Sequence, residues 1–134
     1  MGRAQRARRR ARAMQVTVQF RDAEQFGLMY ALFPVGAGRA AQEHHRTLET
    51  VRTESDVLDA LDAISAPDAD ERHTTGTGEP MRVPLTSPCE IVLSGAQRDL
   101  VVDYLARAIV VALPQKARAG VRLLDQIKNA PTVE

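Results

Sequence analysis

A short strand followed by two helices occurs twice along this chain, and this repeated order constrains the fold more than any other feature. In the second occurrence, residues 90–93 are mostly apolar and β-branched, as in a strand. Residues 97–113 then have the apolar spacing of a helix, which Pro114 ends. Residues 117–129 have the pattern of a second, amphipathic helix. The sequence between residues 14 and 53 predicts the same order of elements.

The first occurrence opens with residues 15–20, where apolar and polar side chains alternate as they do in a half-buried strand. Asp22 is a candidate N-cap for a helix with one apolar stripe, formed by Phe26, Met29, Tyr30 and Phe33. Pro34 and the two glycines after it predict the end of this helix, and residues 39–52 predict a second one. A third helix is expected from an N-cap at Ser55, with Val57, Leu58, Leu61 and Ile64 as its buried face.

These patterns predict a mostly helical α+β domain. It would contain a duplicated β-α-α unit with a pseudo-twofold axis, two short strands paired antiparallel and about five helices. Residues 14–64 and 81–130 would be the half-units, joined by a mobile linker at residues 65–80 that is rich in Pro, Gly and Thr. The second helices are matched by aligning residues 46–52 with 122–128. Identity between the halves is low, so chance recurrence of amphipathic helices is the alternative.

Composition sets outer limits on the class of protein. A chain of 134 residues fits one domain, large enough to bury a core without disulfides or metals. The single Cys89 allows no internal disulfide, which favours a reduced, cytoplasmic setting. Met81 to Leu85 is expected to form a short edge strand, because Pro84 is excluded from the middle of a sheet. No apolar run approaches the length of a membrane span, so no membrane partner is expected.

Positive charge is concentrated in residues 1–13, which contain no acidic side chain and six arginines: Arg3, Arg6, Arg8, Arg9, Arg10 and Arg12. The rest of the chain contains 12 of the 18 basic side chains and all 17 acidic ones, so its net charge is −5. One interpretation is an arm, disordered alone, that binds the phosphates of RNA or DNA bidentately. The run resembles the arginine-rich RNA-binding peptides of phage antiterminators. There are three other interpretations: Met14 is the true start and residues 1–13 are not part of the protein, these residues are a solvated tail, or they are a tail that docks elsewhere.

Three further surfaces are candidate interaction sites. Asp56, Asp59 and Asp62 form an acidic face on the third predicted helix, which is either a solvated surface or a docking site for a basic partner. A small basic corner is expected at Lys116, Arg118 and Arg122. Residues 108–113 are apolar all round, which indicates burial on several sides or contact with another subunit through Ile109, Val110 and Leu113.

Motifs of catalysis are missing from the sequence, which contains no Walker loop, HExxH, CxxC or nucleotide fingerprint. His44 and His45 point about 100° apart on a helix and therefore cannot chelate a metal together. His44 is expected to lie at the edge of the core. Cys89 starts a strand without an activating neighbour, which indicates a half-buried structural residue. No cofactor, metal or small-molecule site is expected.

The sequence is therefore interpreted as a small non-enzymatic protein that acts in protein interaction, assembly or regulation, with a protein partner or a second copy of itself. The alternative is a nucleic-acid-binding protein that uses residues 3–12.

Overall fold

A computed structural model describes residues 14–67, 82–86 and 88–133 of the chain. The predicted α+β class is confirmed, and most of the described residues are helical. The predicted arm at residues 1–13 and residues 68–80 of the predicted linker lie outside the described residues. The elements in chain order are β1 (Gln15–Phe20), α1 (Ala23–Gln42), α2 (Leu48–Ala63), β2 (Ser65–Pro67), β3 (Arg82–Pro84), β4 (Cys89–Ser94), α3 (Gly95–Val111), α4 (Pro114–Lys128) and β5 (Thr132–Val133).

The main sheet has the strand order β4-β1-β5, and both of its pairings are antiparallel. The predicted antiparallel pairing of the two principal strands is confirmed, with Gln15 opposite Ser94 and Phe20 opposite Cys89. Alternate side chains of both strands are buried on one face of the sheet, as the alternation in the sequence predicted for β1. The third strand, β5, was not predicted, because two residues are too short to carry a pattern.

A second, two-stranded sheet joins β2 to β3 in antiparallel order, with Ser65 opposite Pro84. The short strand expected between residues 81 and 85 is confirmed. The linker was predicted to begin at Ser65, and for its first three residues this prediction is wrong, since they form β2.

Helix α1 continues through Pro34, where the sequence analysis predicted its end. Pro34 lacks the N–H that would bond one turn back, which normally destabilises a helix interior. The helix continues because its buried face continues beyond the proline, through Gly36, Ala37 and Ala40. The predicted helix at residues 39–52 is therefore wrong, since its first part belongs to α1 and its last part to α2.

Helix α2 is capped by Thr47 and not by Ser55. The Thr47 hydroxyl accepts from the Thr50 N–H at 3.2 Å, and the Thr47 N–H donates to the Thr50 hydroxyl at 2.7 Å. The described residues therefore form four helices and not five. Arg46 precedes α2, whereas residues 122–128 belong to the C-terminal part of α4, so the proposed match of residues 46–52 with 122–128 is wrong.

The core lies between the buried face of the main sheet and the helices, and its centre is the crossing of α1 and α3. Gly36 makes this crossing close, because a Cβ atom at Gly36 would lie 2.1 Å from the Tyr104 carbonyl oxygen. Tyr104 itself is buried, and its ring centroid lies 5.4 Å from that of Phe33. The described helices include none that is long and apolar enough to cross a membrane.

Helix α4 begins at Pro114, three residues earlier than predicted, with the proline in its first turn. Its buried residues are Gly120, Leu123 and Ile127. Val121 is exposed, because the buried stripe of α4 runs through these three residues.

Candidate functional site

The last turn of α3 and the residue before α4 place three apolar side chains in solvent. Val110 is 75 % exposed, Val111 49 % and Leu113 76 %. We call these three residues the apolar corner. Two of the three residues predicted for self-association, Val110 and Leu113, therefore lie on the surface. The third, Ile109, is only partly exposed and packs against Gly120, where an added Cβ would lie 2.7 Å from its Cγ1 atom.

The backbone at this corner explains why an apolar side chain is presented there. Ala112 and Leu113 are extended, with ψ angles of 153° and 154°, as the residue before a proline prefers to be. Leu113 is the N-cap of α4 and makes no side-chain cap hydrogen bond. Ser, Thr, Asp or Asn at an N-cap typically stabilises a helix by about 1 kcal/mol over an apolar residue. Leu113 therefore contributes neither a cap nor a buried side chain to the isolated fold.

A polar rim lies beside the apolar corner. Arg107 forms an ion pair with Glu43 at the end of α1, and its Nε donates to Asp103 at 3.0 Å. Val110 and these three residues border one shallow depression of about 260 Å³, together with Arg39 and Ala106. An apolar centre with a charged rim is the usual anatomy of a protein–protein contact surface.

The predicted basic corner and acidic face are both on the surface. Lys116, Arg118 and Arg122 are exposed on α4, and Asp56 and Asp59 are exposed on α2. Asp62 is exposed as well but is already engaged: it accepts a hydrogen bond from the Tyr30 hydroxyl at 3.0 Å and pairs with Arg82 at 3.0 Å. The six arginines predicted to bind nucleic acid lie outside the described residues.

A buried polar cluster was missed by the sequence analysis. Glu54 is only 5 % exposed, and its two carboxylate oxygens accept from Arg46 Nε and Nη2 at 2.8–3.1 Å. The Tyr104 hydroxyl donates to the same carboxylate at 3.3 Å. The spacing of Glu54 to Val57 and Leu61 is the signal that could have found it, because it places Glu54 on the buried stripe of α2.

Electrostatics in this cluster favour a fixed arrangement. The hydrogen bonds to Glu54, and then its negative charge, raise the pKa of the Arg46 guanidinium. Burial raises the pKa of the Tyr104 hydroxyl, which keeps the group protonated and able to donate. The cluster ties the segment before α2, α2 itself and α3 into one unit, so its chemistry is that of a structural ion pair.

The remaining titratable candidates do not form a site. Cys89 is buried, and burial raises the pKa of its thiol, which disfavours the reactive thiolate. His44 was predicted to lie at the edge of the core; it is exposed, with a φ angle of 60°, in the turn after α1. Within residues 14–67, 82–86 and 88–133, no group of His, Cys, Asp and Glu is arranged to hold a metal ion.

Comparison with known proteins gives no match for this chain, whether to a family model, a curated protein or a solved structure.

Proposed function

We propose that the protein is a small non-enzymatic assembly module that associates with itself through the apolar corner. The observation that carries this proposal is Leu113, which occupies a helix N-cap where a polar residue would stabilise the fold, yet is 76 % exposed. A contact with another molecule gives this side chain a role that the isolated fold does not.

The size of the effect supports the proposal. Burying a Val or Leu side chain contributes roughly 1.5–3 kcal/mol relative to leaving it exposed. In a symmetric dimer each copy would bury Val110 and Leu113, and a few such central residues commonly dominate the affinity of an interface. The charged rim of Glu43, Asp103 and Arg107 borders Val110 and would disfavour partners of the wrong charge.

The non-enzymatic part of the proposal is supported by the state of the buried polar groups. Glu54, Arg46 and Tyr104 bond to one another, and the Cys89 thiol is buried with a raised pKa. Catalytic groups need an open partner or a pKa shifted towards their task.

The test replaces Leu113 with Asp, which removes the apolar side chain and supplies a good N-cap. Leu113→Asp is therefore expected to raise the thermal stability of the fold while lowering the associated mass in sedimentation equilibrium. Leu48→Asp is the matched control, because Leu48 is 69 % exposed and begins α2, where an acidic residue is also favourable. The control is expected to keep the wild-type mass. An unchanged mass for Leu113→Asp would reject the corner as an interface.

Nucleic-acid binding through residues 3–12 is the second candidate function. It is favoured by the separation of charge along the chain, with six arginines in the first 13 residues and a net charge of −5 in the rest. Guanidinium groups bind phosphates bidentately and remain charged, so such an arm would supply affinity with little sequence preference.

We also propose that the fold contains two related β-α-α units. The element order β1-α1-α2 and β4-α3-α4 supports this, as does the ladder between β1 and β4, which is centred on the middle of both strands. A rotation of about 180° that carries β1-α1 onto β4-α3 in an experimental structure is the expected result. Unlike packing of α1 and α3 on their own strands would contradict it.

A further inference from the structure

The outer edge of β4 presents backbone groups that no described strand pairs. The main sheet has the order β4-β1-β5, so β4 has a neighbour on one side only. The Gly95 N–H donates to the Met14 carbonyl at 3.0 Å, so Gly95 and Met14 form a hydrogen-bonded pair of the β1–β4 ladder. Because hydrogen-bonded pairs alternate in an antiparallel ladder, Cys89, Ile91 and Leu93 bond to β1. Glu90, Val92 and Ser94 therefore direct their N–H and C=O groups away from it.

The side of β1 that faces away from β4 is covered. Beyond β1, the Thr17 N–H donates to the Pro131 carbonyl at 3.2 Å, next to the two residues of β5. The Gln126 side-chain amide donates to the Gln19 carbonyl. At the outer edge of β4, only the last residue has a hydrogen-bond partner: the Ser94 N–H donates to the Gln97 side chain at 2.9 Å.

At the outer edge of β4, the backbone donors and acceptors of Glu90 and Val92 thus have no partner among the described residues. Both are exposed, and Val92 is 50 % exposed on the solvent face of the sheet. Soluble proteins usually protect such an edge with charged side chains, a proline, a bulge or a covering loop. The β1–β4 ladder runs through six consecutive pairs without a bulge, β4 contains no proline, and Glu90 is its only charged residue.

We propose that this edge pairs with β4 of a second copy, in antiparallel orientation about a twofold axis at Ile91. In that register Glu90 faces Val92 of the second copy, and Val92 faces its Glu90. Each of the two pairs forms two hydrogen bonds, so all free N–H and C=O groups of these residues are satisfied. The register is also favoured by charge, since a carboxylate faces a valine and not another carboxylate. A second copy fits because the edge is complementary to itself.

The consequence is a continuous six-stranded sheet across two copies. This interface goes beyond the apolar corner, which lies between α3 and α4 and not on the sheet. Two different twofold interfaces on one chain generate either a closed tetramer or an open array. The two interfaces are separable by mutation.

The test uses the full chain and measures amide hydrogen exchange at Glu90 and Val92. In a monomer both amides face solvent and exchange at close to the rate of an unstructured chain, whereas pairing protects them. Protection of both amides is expected to rise with protein concentration, in the wild type and in Leu113→Asp alike. Exchange that stays fast at every concentration overturns the proposal. If the two amides are protected only when an unrelated extended peptide is added, the edge does not bind a second copy and the proposal is overturned.

Sedimentation of the Val92→Pro variant is an independent test of the same interface. The Val92 N–H points away from β1, so a proline there removes no β1–β4 hydrogen bond but removes an outward donor. This variant is expected to keep the wild-type circular dichroism and to lose one association step, and Val92→Thr is expected to lose none. Combining Val92→Pro with Leu113→Asp is expected to give a monomer. A folded Val92→Pro variant with wild-type mass overturns the edge interface without affecting the corner, and if this variant unfolds, the exchange measurement decides.

Discussion

At the scale of single residues, the ion pair between Arg46 and Glu54 makes a specific energetic prediction. Glu54 is buried, whereas the Arg46 side chain is 38 % exposed, so the two partners differ in what their loss leaves behind. Arg46→Met strands a buried carboxylate and is expected to cost about 3 kcal/mol of unfolding free energy. Glu54→Met leaves an arginine that can turn to water, so we expect a smaller loss.

The double variant Arg46→Met with Glu54→Met completes a cycle that isolates the interaction between the two side chains from their contacts with the rest of the protein. We expect it to be more stable than Arg46→Met alone, because no charge is left buried, with a coupling energy of about 1–2 kcal/mol. Urea denaturation of the four proteins measures this cycle. Losses that simply add would mean that the two side chains do not interact in solution.

Tyr104 predicts the direction of a change in stability at alkaline pH. Burial, and then the nearby Glu54 charge, raise the pKa of Tyr104 above its ordinary value of about 10. The folded state therefore favours the protonated hydroxyl. This contribution is complete below pH about 10 and is lost as the pH rises through the raised pKa.

Unfolding free energies measured between neutral pH and pH about 11 are expected to fall more steeply for wild type than for Tyr104→Phe, which has no hydroxyl to titrate there. All other ionisable groups are the same in both proteins, so their contributions cancel in the comparison. Equal slopes would contradict the buried position of the hydroxyl.

At the scale of elements, the crossing of α1 and α3 depends on one glycine. A Cβ at Gly36 would lie 2.1–2.8 Å from backbone atoms of Tyr104, which cannot move without shifting α3, whereas a Cβ at Gly38 would have no atom within 4 Å. Gly36→Ala is therefore expected to destabilise the protein by at least 1–3 kcal/mol, roughly the cost of overpacking a core. Gly38→Ala, two residues away on the same helix, is expected to stabilise it by up to about 1 kcal/mol through helix propensity. Thermal unfolding of both variants gives the answer, and changes of the same sign would contradict this packing.

The bounds of single helices and strands show which parts of the fold the sequence can predict and which it cannot. Strand β1 was predicted with its observed bounds, because the alternation of Val16, Val18 and Phe20 is a local signal that the sheet confirms. The end of α1 was not predicted correctly. Pro34 is a local signal for the end of a helix, but the packing of Gly36 and Ala37 on α3 outweighs it. The start of α2 was misplaced because Thr47 and Ser55 are both favourable N-cap residues, and Ser is the more favourable of the two by sequence.

At the scale of the whole molecule, the candidate site could be predicted only in part. Uninterrupted apolar character at residues 108–113 pointed to the corner, and Val110 and Leu113 are exposed there. Only the packing of α3 against α4 determines that Ile109 turns inward onto Gly120. The free edge of β4 could not be predicted, because the strand order of a sheet is set by contacts between distant residues.

Charge distribution across the whole chain predicts how nucleic acid would bind. If six arginines each neutralise one phosphate of duplex DNA, the logarithm of the binding constant is expected to fall against log salt with a slope of about −5, and less steeply on single strands. Deletion of residues 2–13 is expected to remove most of this binding, as measured by fluorescence anisotropy at several salt concentrations. Equal binding by the shortened chain would assign it to another surface.

Sedimentation velocity of the unmodified chain over a wide range of concentration tests the central claim, self-association, most directly. We expect the weight-average sedimentation coefficient to rise with concentration and to keep rising at high salt, because apolar burial is not screened by ions. A single monomer boundary at every concentration would contradict the account.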